Sequence, residues 1–421
     1  METKNYIGVS EKPPLSKTIP LSLQHLFAMF GSTVLVPILF KVDPATVLLF
    51  NGIGTLFYIF FCKRQIPAYL GSSFALIAPV LLVSTQFGYE AALGGFIAVG
   101  LTMLVVAGII QKAGMDWINT LFPPAAMGSI VAVIGLELMP VAAKMSGFLD
   151  DVPNYLNLTV AVLTLVITLI ASVAFRGFLG LIPILVGLVG GSVIAACLGL
   201  FDLSRVSEAP FFALPTIYTP AFVPEAVLII VPTALVIIVE HVGHLVVTGN
   251  IVGSDLVQKP GLHRSLAANG ISTLFSAFFG STPNTTYGEN IGVLAISKVY
   301  STYVIGGAEI FSIILSCFGK VGALIASIPV AVMGGVSFLL FGIIAASGLR
   351  ILVDSKVDYS KTQNLMTTAV VLGVGVSDAS ISIGACTLTG MTLSTIVAIL
   401  VSAIFGAVNK LRGADNIIEG K

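Results

Sequence analysis

The chain has 421 residues, of which 56% are hydrophobic and only 10% charged, and its mean hydropathy is +1.04. A soluble chain carries roughly a quarter charged residues, so the composition excludes a large soluble domain and points to a helical membrane protein. A formal net charge of zero argues against a nucleic-acid partner.

The N-terminal stretch METKNYIGVSEKPPLSK is polar and has no signal-peptide core, so the first spanning helix is expected to act as the insertion signal. Apolar runs near the ~20 residues that cross a hydrocarbon core then recur along the chain. The first seven are Leu21–Phe40, Ala45–Cys62, Ile66–Leu82, Ala91–Ile110, Ala125–Val141, Leu158–Phe175 and Gly177–Leu200. The second seven are Ala226–Val247, Ser265–Gly280, Pro283–Ile296, Tyr303–Ile325, Pro329–Leu349, Gln363–Val376 and Leu388–Val408. The expected fold is therefore an all-α polytopic membrane protein of fourteen spans. Spans three and ten are short and interrupted by Gly and Pro, in IPAYLGSSFALIAP and STPNTTYGENIG. The Pro-rich connection Phe201–Glu225 is expected to lie over the outer face.

Charge tests this topology. With alternating sides and a cytoplasmic N-terminus, only Lys41, Lys144, Arg205 and Lys320 of the 20 Lys and Arg residues fall outside. That is the positive-inside asymmetry, and it predicts that both termini are cytoplasmic. A weak internal repeat is also present. Gln24–His25 aligns with Glu240–His241 at an offset of 216, and Gly71 aligns with Gly288 at 217. Seven spans per half would invert one half relative to the other. Inverted repeats with broken helices in matching places are a signature of secondary transporters, with the substrate near the midplane.

The stretch GSTPNTTYGENIGVLAISK, Gly280–Lys298, is the least membrane-like part of the apolar region. Irregular backbone at membrane depth is tolerated only where protein or a wet cavity covers it. It is expected to run extended and then turn helical, with the new helix N-terminus offering free N–H groups to a ligand. Gly288 permits close backbone approach, and Glu289 follows it. The opposing break supplies Gly71, Ser72, Ser73 and Phe74, although Phe74 reads equally well as core packing.

In the eighth span Glu240 and His244 are four apart and share a helix face within about 40°. A midspan carboxylate is costly and marks a functional position, and a neighbouring His is a natural proton partner. His241, turned about 100° away, reads better as a hydrogen-bonded structural residue. A flat ring of alternating C=O and N–H groups suits two carboxylates beside a helix N-terminus. Glu90, Glu137 and Glu309 weigh less, with a structural role favoured for Glu137. The Asn284-Thr285-Thr286 triplet is discounted as a glycosylation site because it is buried. Glu240-His241-x-x-His244 lacks the zincin order, so no metal is expected, and the four cysteines read as packing residues. No cofactor is implied, and no nucleophile–base pair marks an enzyme. The Gly187/Gly191 spacing suits close helix packing.

At these residues the chain resembles the bacterial uracil permeases of the nucleobase–ascorbate (nucleobase:cation symporter) transporter family. The matching stretches are SLQHLFAMFGSTVLVP, PAYLGSSFALI, FPPAAMGSIVAVIGLEL, EHVGHLVVTGNIV, PGLHRSLAANG and GSTPNTTYGENIGVLAISK. The family signature falls on Glu289, Asn290, Gly292 and Lys298, with Ser297 in place of the usual Thr. The resemblance implies a core domain, residues 1–113 and 225–326, and a gate domain, residues 114–224 and 327–421. It also implies short antiparallel strands in spans three and ten, with the substrate held between core and gate. Glu240 and Glu289 would bind uracil, with backbone at Phe74, Gly288 and Ser32 contributing and Tyr287 supporting the site. His244 would join Glu240 in proton coupling, while Ser72, Ser73 and Asn290 would support the framework. The implied activity is proton-coupled uracil import across the inner membrane by alternating access, by a homodimer joined through its gate domains. A purine (xanthine-type) symporter and a passive channel or anion carrier are the alternatives. Gln stands at the Glu289 position in purine-transporting relatives, which favours uracil.

Overall fold

The computed structural model describes residues 6–411 except 115, 152, 153, 378 and 385. The chain termini, predicted to be cytoplasmic, thus lie outside the described residues. Several helices begin where the sequence supplies a cap. The Asp43 carboxylate accepts from the Ala45 N–H at 2.9 Å and Pro44 occupies the first helical position of Pro44–Phe61. Asn154 and Ser301 cap the Tyr155–Ala174 and Thr302–Ser316 helices in the same way.

Among the described residues, eight helices are long and apolar enough to cross a membrane, and nine if Thr302–Ser316 and Gly319–Ala326, bent by 90°, form one span. Phe74–Phe87, Pro183–Cys197 and Thr362–Val376 are apolar but shorter. At 1.5 Å per residue, a helix of 15 residues reaches about 22 Å, short of a ~30 Å hydrocarbon core. Length and composition therefore do not by themselves yield fourteen.

Glycines set the closest helix crossings. Tyr89–Ala113 packs on Leu262–Phe278, where a Cβ on Gly100 would stand 3.0 Å from the Gly270 carbonyl oxygen and the reverse holds equally. Pro124–Glu137 packs on Val330–Asp354 through Gly128 and Gly348. Gly187 and Gly191 of Pro183–Cys197 sit against Thr168 and Thr164 of Tyr155–Ala174, a use of small residues as helix contacts. Pro44–Phe61 and Leu15–Phe40 both pack on Thr302–Ser316.

Two segments abandon the helix at the centre of the molecule. Leu70–Ser72 pairs antiparallel with Asn284–Thr286, in the register Leu70 to Thr286, Gly71 to Thr285 and Ser72 to Asn284. These are the Gly- and Pro-interrupted stretches singled out in the sequence. Helix resumes only at Gly288, so the apolar run beginning at Pro283 is strand first. A second hairpin, Ser380–Ile383 with Cys386–Thr389, precedes the last helix and was not expected. It displaces the start of that helix from Leu388, where the apolar run begins, to Gly390.

The 201–223 connection is stitched along the ends of several helices. Asp43 Oδ2 accepts from the Thr216 N–H at 2.9 Å, and Thr46 Oγ1 donates to the Thr216 carbonyl at 2.5 Å. Ala213 N–H donates to the Cys317 carbonyl, Gly319 N–H to the Phe211 carbonyl, and Lys320 Nζ to the Val206 carbonyl. Cys62, Cys197 and Cys317 are free thiols.

Candidate substrate-binding site

The paired strands are locked by their neighbours as much as by each other. Leu70 N–H donates to Thr55 Oγ1 at 3.0 Å, fastening the first strand to Pro44–Phe61. Ser72 Oγ meets Thr282 Oγ1 at 2.6 Å, and Ser73 N–H donates to the Pro283 carbonyl at 3.0 Å. Asn284, buried in the second strand, is the anchor that the sequence did not reveal. Its Nδ2, with two hydrogens to give, lies 2.8–3.0 Å from the Phe50 carbonyl and the Ser272 and Ser276 hydroxyls, which share them. Asn290 Nδ2 reaches back to the Pro67 carbonyl at 3.3 Å, tying the resumed helix to the other broken segment. The Ser73 hydroxyl is buried without a protein partner.

Near the crossing, Tyr287 lies nearly parallel to two neighbouring rings. It stacks on Phe74 with centroids 5.9 Å apart and on Tyr69 at 6.3 Å. Phe74 in turn meets Phe341 edge-on at 6.1 Å. Gly71 lies directly beneath the Tyr287 ring, which a Cβ would strike. A side chain there is incompatible with the stack, whatever the strand propensity.

Two carboxylates converge on this floor from different elements. Glu240 belongs to the continuous helix Thr233–Val252, is 6% exposed, and has no protein partner for Oε2. Glu289 is the second residue of the Gly288–Ser297 helix, where its charge faces the positive end of the helix dipole. Its Oε1 accepts from Ser32 Oγ at 3.0 Å. Ser32, expected to offer its backbone to the substrate, holds Glu289 through its hydroxyl.

His244, one turn from Glu240, is held by Thr286 rather than by the carboxylate. Nδ1 lies 2.9 Å from the Thr286 carbonyl and 3.2 Å from its hydroxyl. A carbonyl can only accept, so Nδ1 carries the hydrogen and Nε2 of the neutral ring is left as an acceptor. Nε2 faces Gly288, where a Cβ would come within 3.1 Å of it. His241 points elsewhere, 2.8 Å from Ser265 Oγ, which also meets Tyr58 OH at 2.6 Å. Glu137 accepts from the Met391 N–H at 2.6 Å and so caps the last helix.

Glu240, Glu289, His244, Gly288, Tyr287 and Phe74 line one small void, closed on its far side by Val131, Ile343, Ile344 and Ser347. Those four apolar or small residues come from Pro124–Glu137 and Val330–Asp354, and no motif in the sequence marks them. A larger cavity of about 360 Å³ shares His244, Gly288, Glu289, Ile343 and Ser347 with it and extends past Met29, Leu181 and Ile296 to Arg350. Cavities of this size suit small ligands. Chemically the site offers two acceptor carboxylates, an imidazole acceptor, the N–H groups of a helix start and an aromatic floor. Among the described residues, no cluster of three His, Cys, Asp or Glu has metal-holding geometry.

Over its whole length the chain is similar to known permeases. A model described as "Permease family" matches residues 16–384. A curated uracil permease of Escherichia coli (strain K12) is 59% identical over 422 residues, covering 100% of this chain and 98% of that protein. A uracil permease of Paenibacillus larvae is 55% identical over 415 residues, covering 97% of this chain and 99% of its own. In fold, the chain is similar to the transmembrane domain of the cyanobacterial bicarbonate transporter BicA, with a TM-score of 0.63 at 16% identity over 93% of this chain and 96% of that one.

Proposed function

From the premise that the chain belongs to this permease family, the nucleobase–ascorbate transporters that include the bacterial uracil permeases, we propose that it is a proton-coupled uracil importer of the inner membrane. It is a multi-pass membrane transporter rather than an enzyme. The observation that carries the substrate assignment is the meeting of Glu240, Glu289, His244 and Gly288 around one void beneath paired strands. The two uracil N–H groups are donors suited to the carboxylates, and its two carbonyl oxygens are acceptors suited to N–H groups at Phe74 and Gly288. The ring would lie near the Phe74–Tyr287 stack.

The division into core and gate gains support from packing. Helices of residues 1–113 and 225–326 pack chiefly on one another, as do those of 114–224 and 327–411. Glu240 and Glu289 stand on the core side, while Val131, Ile343 and Ser347 stand on the gate side. Fourteen spans in two inverted sets of seven, with both termini cytoplasmic, remain the arrangement that best satisfies the positive-inside charge pattern. In that arrangement the larger cavity leads toward Arg350 on the cytoplasmic side, and the chain is inward-facing. Pairing of two protomers through their gate domains completes this reading.

In the transport cycle, protonation of Glu240 would neutralise the buried charge and favour loading of the ring. Core would then move against gate, and loss of the proton to the cytoplasm would release uracil. His244, with Nε2 open to the site, is placed to pass that proton. Uptake of labelled uracil into vesicles, with and without a protonophore, tests the scheme. Glu240→Gln is expected to abolish accumulation against a gradient, and wild-type accumulation by that variant would refute it.

A further inference from the structure

Away from the substrate pocket, and lined by a different set of residues, lies a cavity of about 380 Å³. It opens where the starts of Leu15–Phe40 and Thr302–Ser316 meet the end of Pro44–Phe61, and Lys12, Leu15, Phe60, Arg64, Tyr303 and Ile310 all line it.

The charged part of this lining is basic throughout. The Lys12 ammonium and the Arg64 guanidinium each lie 5.8 Å from the centre of the same Tyr303 ring. Arg64 Nη1 also donates to the Tyr303 hydroxyl at 3.4 Å. The chain leaves Pro44–Phe61 through Lys63 and Arg64, both left-handed at φ 55°, a conformation that residues with a Cβ seldom adopt. That turn brings Arg64 to Tyr303. Among the described residues, neither Lys12 nor Arg64 is ion-paired, and no Asp or Glu lines the cavity. The backbone adds the same sign. A helix start carries partial positive charge, which an acidic side chain in the first turn offsets. Neither Leu15–Phe40 nor Thr302–Ser316 has an acidic residue there.

The remaining wall is apolar and open. Leu15, Phe60 and Ile310 are 72%, 69% and 52% exposed, as side chains facing acyl tails would be. A free anion would use the cations and gain nothing from that wall, whereas an amphiphile uses both. We propose that this cavity binds one anionic phospholipid, its phosphate held by Lys12 and Arg64 and a tail lying along Leu15, Phe60 and Ile310. Basic pockets between spanning helices take such headgroups, and the cytoplasmic leaflet is the anionic one. Lys12 and Arg64 face that leaflet in the topology proposed above, but the binding chemistry is independent of sidedness and of proton coupling. The lipid would also fasten the N-terminal segment to the core. Ile7 and Val9 already share backbone hydrogen bonds of 2.9–3.0 Å with Lys298, Tyr300 and Thr302, and Lys12 continues that segment into the first helix.

The test uses the full-length protein, delipidated in a neutral detergent. Its melting temperature is followed as phosphatidylglycerol, phosphatidylcholine or inorganic phosphate is added, and bound lipid is counted by native mass spectrometry. Phosphatidylglycerol is expected to raise the melting temperature and remain bound, and phosphatidylcholine at the same concentration to do neither. Each basic residue near an anionic surface is worth about 1 kcal/mol, or about fivefold in affinity. Lys12→Gln is therefore expected to weaken phosphatidylglycerol binding about fivefold, and Lys12→Gln with Arg64→Gln about 25-fold. Lys356→Gln with Lys361→Gln removes equal charge from exposed positions outside the cavity, and is expected to change binding less than about twofold. Equal losses in the two double variants would mean diffuse surface attraction and overturn the site, as would wild-type binding by the first. Stabilisation by inorganic phosphate or by phosphatidylcholine equal to that by phosphatidylglycerol would overturn the assignment to an anionic lipid. Stabilisation by uracil checks that each variant is folded, and should the first double variant fail, the fivefold loss expected of Lys12→Gln decides alone.

Discussion

The continuous helix Thr233–Val252 and the interrupted stretch 281–297 each deliver one carboxylate to the same void, by opposite means. The helix carries Glu240 as a side chain on a rigid rod, with Oε2 unpartnered and therefore free to change its proton or its partner. The interrupted stretch carries Glu289 at a helix start, with the Ser32 hydroxyl and the helix dipole already in place. One acid is left open and the other is held. In the proton-coupled transport proposed above, recognising a ring and exchanging a proton would call for one group of each kind, and this backbone architecture would separate the two roles.

That contrast can be broken most severely at the strand crossing. Gly71→Ala drives a methyl group into the Tyr287 ring, which stacks on Phe74 and on Tyr69. Overpacking of this kind costs about 1–3 kcal/mol, so the melting temperature in detergent is expected to drop and uracil protection to vanish. An unshifted melting curve would mean that the stack tolerates displacement. Ser32→Ala is the sharper probe, because it frees Glu289 without touching the strands. Loss of a hydrogen bond to a charged group costs about 1.5–3 kcal/mol, which predicts uracil binding about 10- to 150-fold weaker with the fold intact. A matching change in proton coupling without loss of affinity would contradict the division between held and open acids. Thr286→Val should have the smallest effect. The backbone carbonyl at 2.9 Å keeps His244 in place when the hydroxyl at 3.2 Å is removed, so uptake should change by less than about threefold, under about 0.7 kcal/mol.

Much of this was legible in the residues. Gly and Pro interrupt two apolar runs at 66–82 and 283–296, and the strands lie inside those runs because broken helix at membrane depth needs a protein partner for its backbone. The i, i+4 spacing placed Glu240 and His244 together, and they do line one void. What stayed hidden is rotational position. Helices that are apolar all round give no stripe from which to infer an inward face, so Glu309, buried, and Glu90, exposed, looked alike. Asn284 was hidden for another reason. Its three acceptors come from residues 50, 272 and 276, and only the folded chain brings them together. The 380–389 hairpin escaped notice because its strands are only four residues each and merge into the apolar run that follows.

The stitched 201–223 connection has a consequence for biosynthesis. Its Thr216 can find Asp43, made 173 residues earlier, as soon as both are outside the ribosome. Val206, by contrast, must wait for Lys320, 114 residues further on. At translation rates of about 5–20 residues per second, that delay is roughly 6–23 s, during which one side of the seam hangs open. A nascent chain stalled inside that interval would expose Phe211 and Phe212 before their partner ring, Phe318, exists.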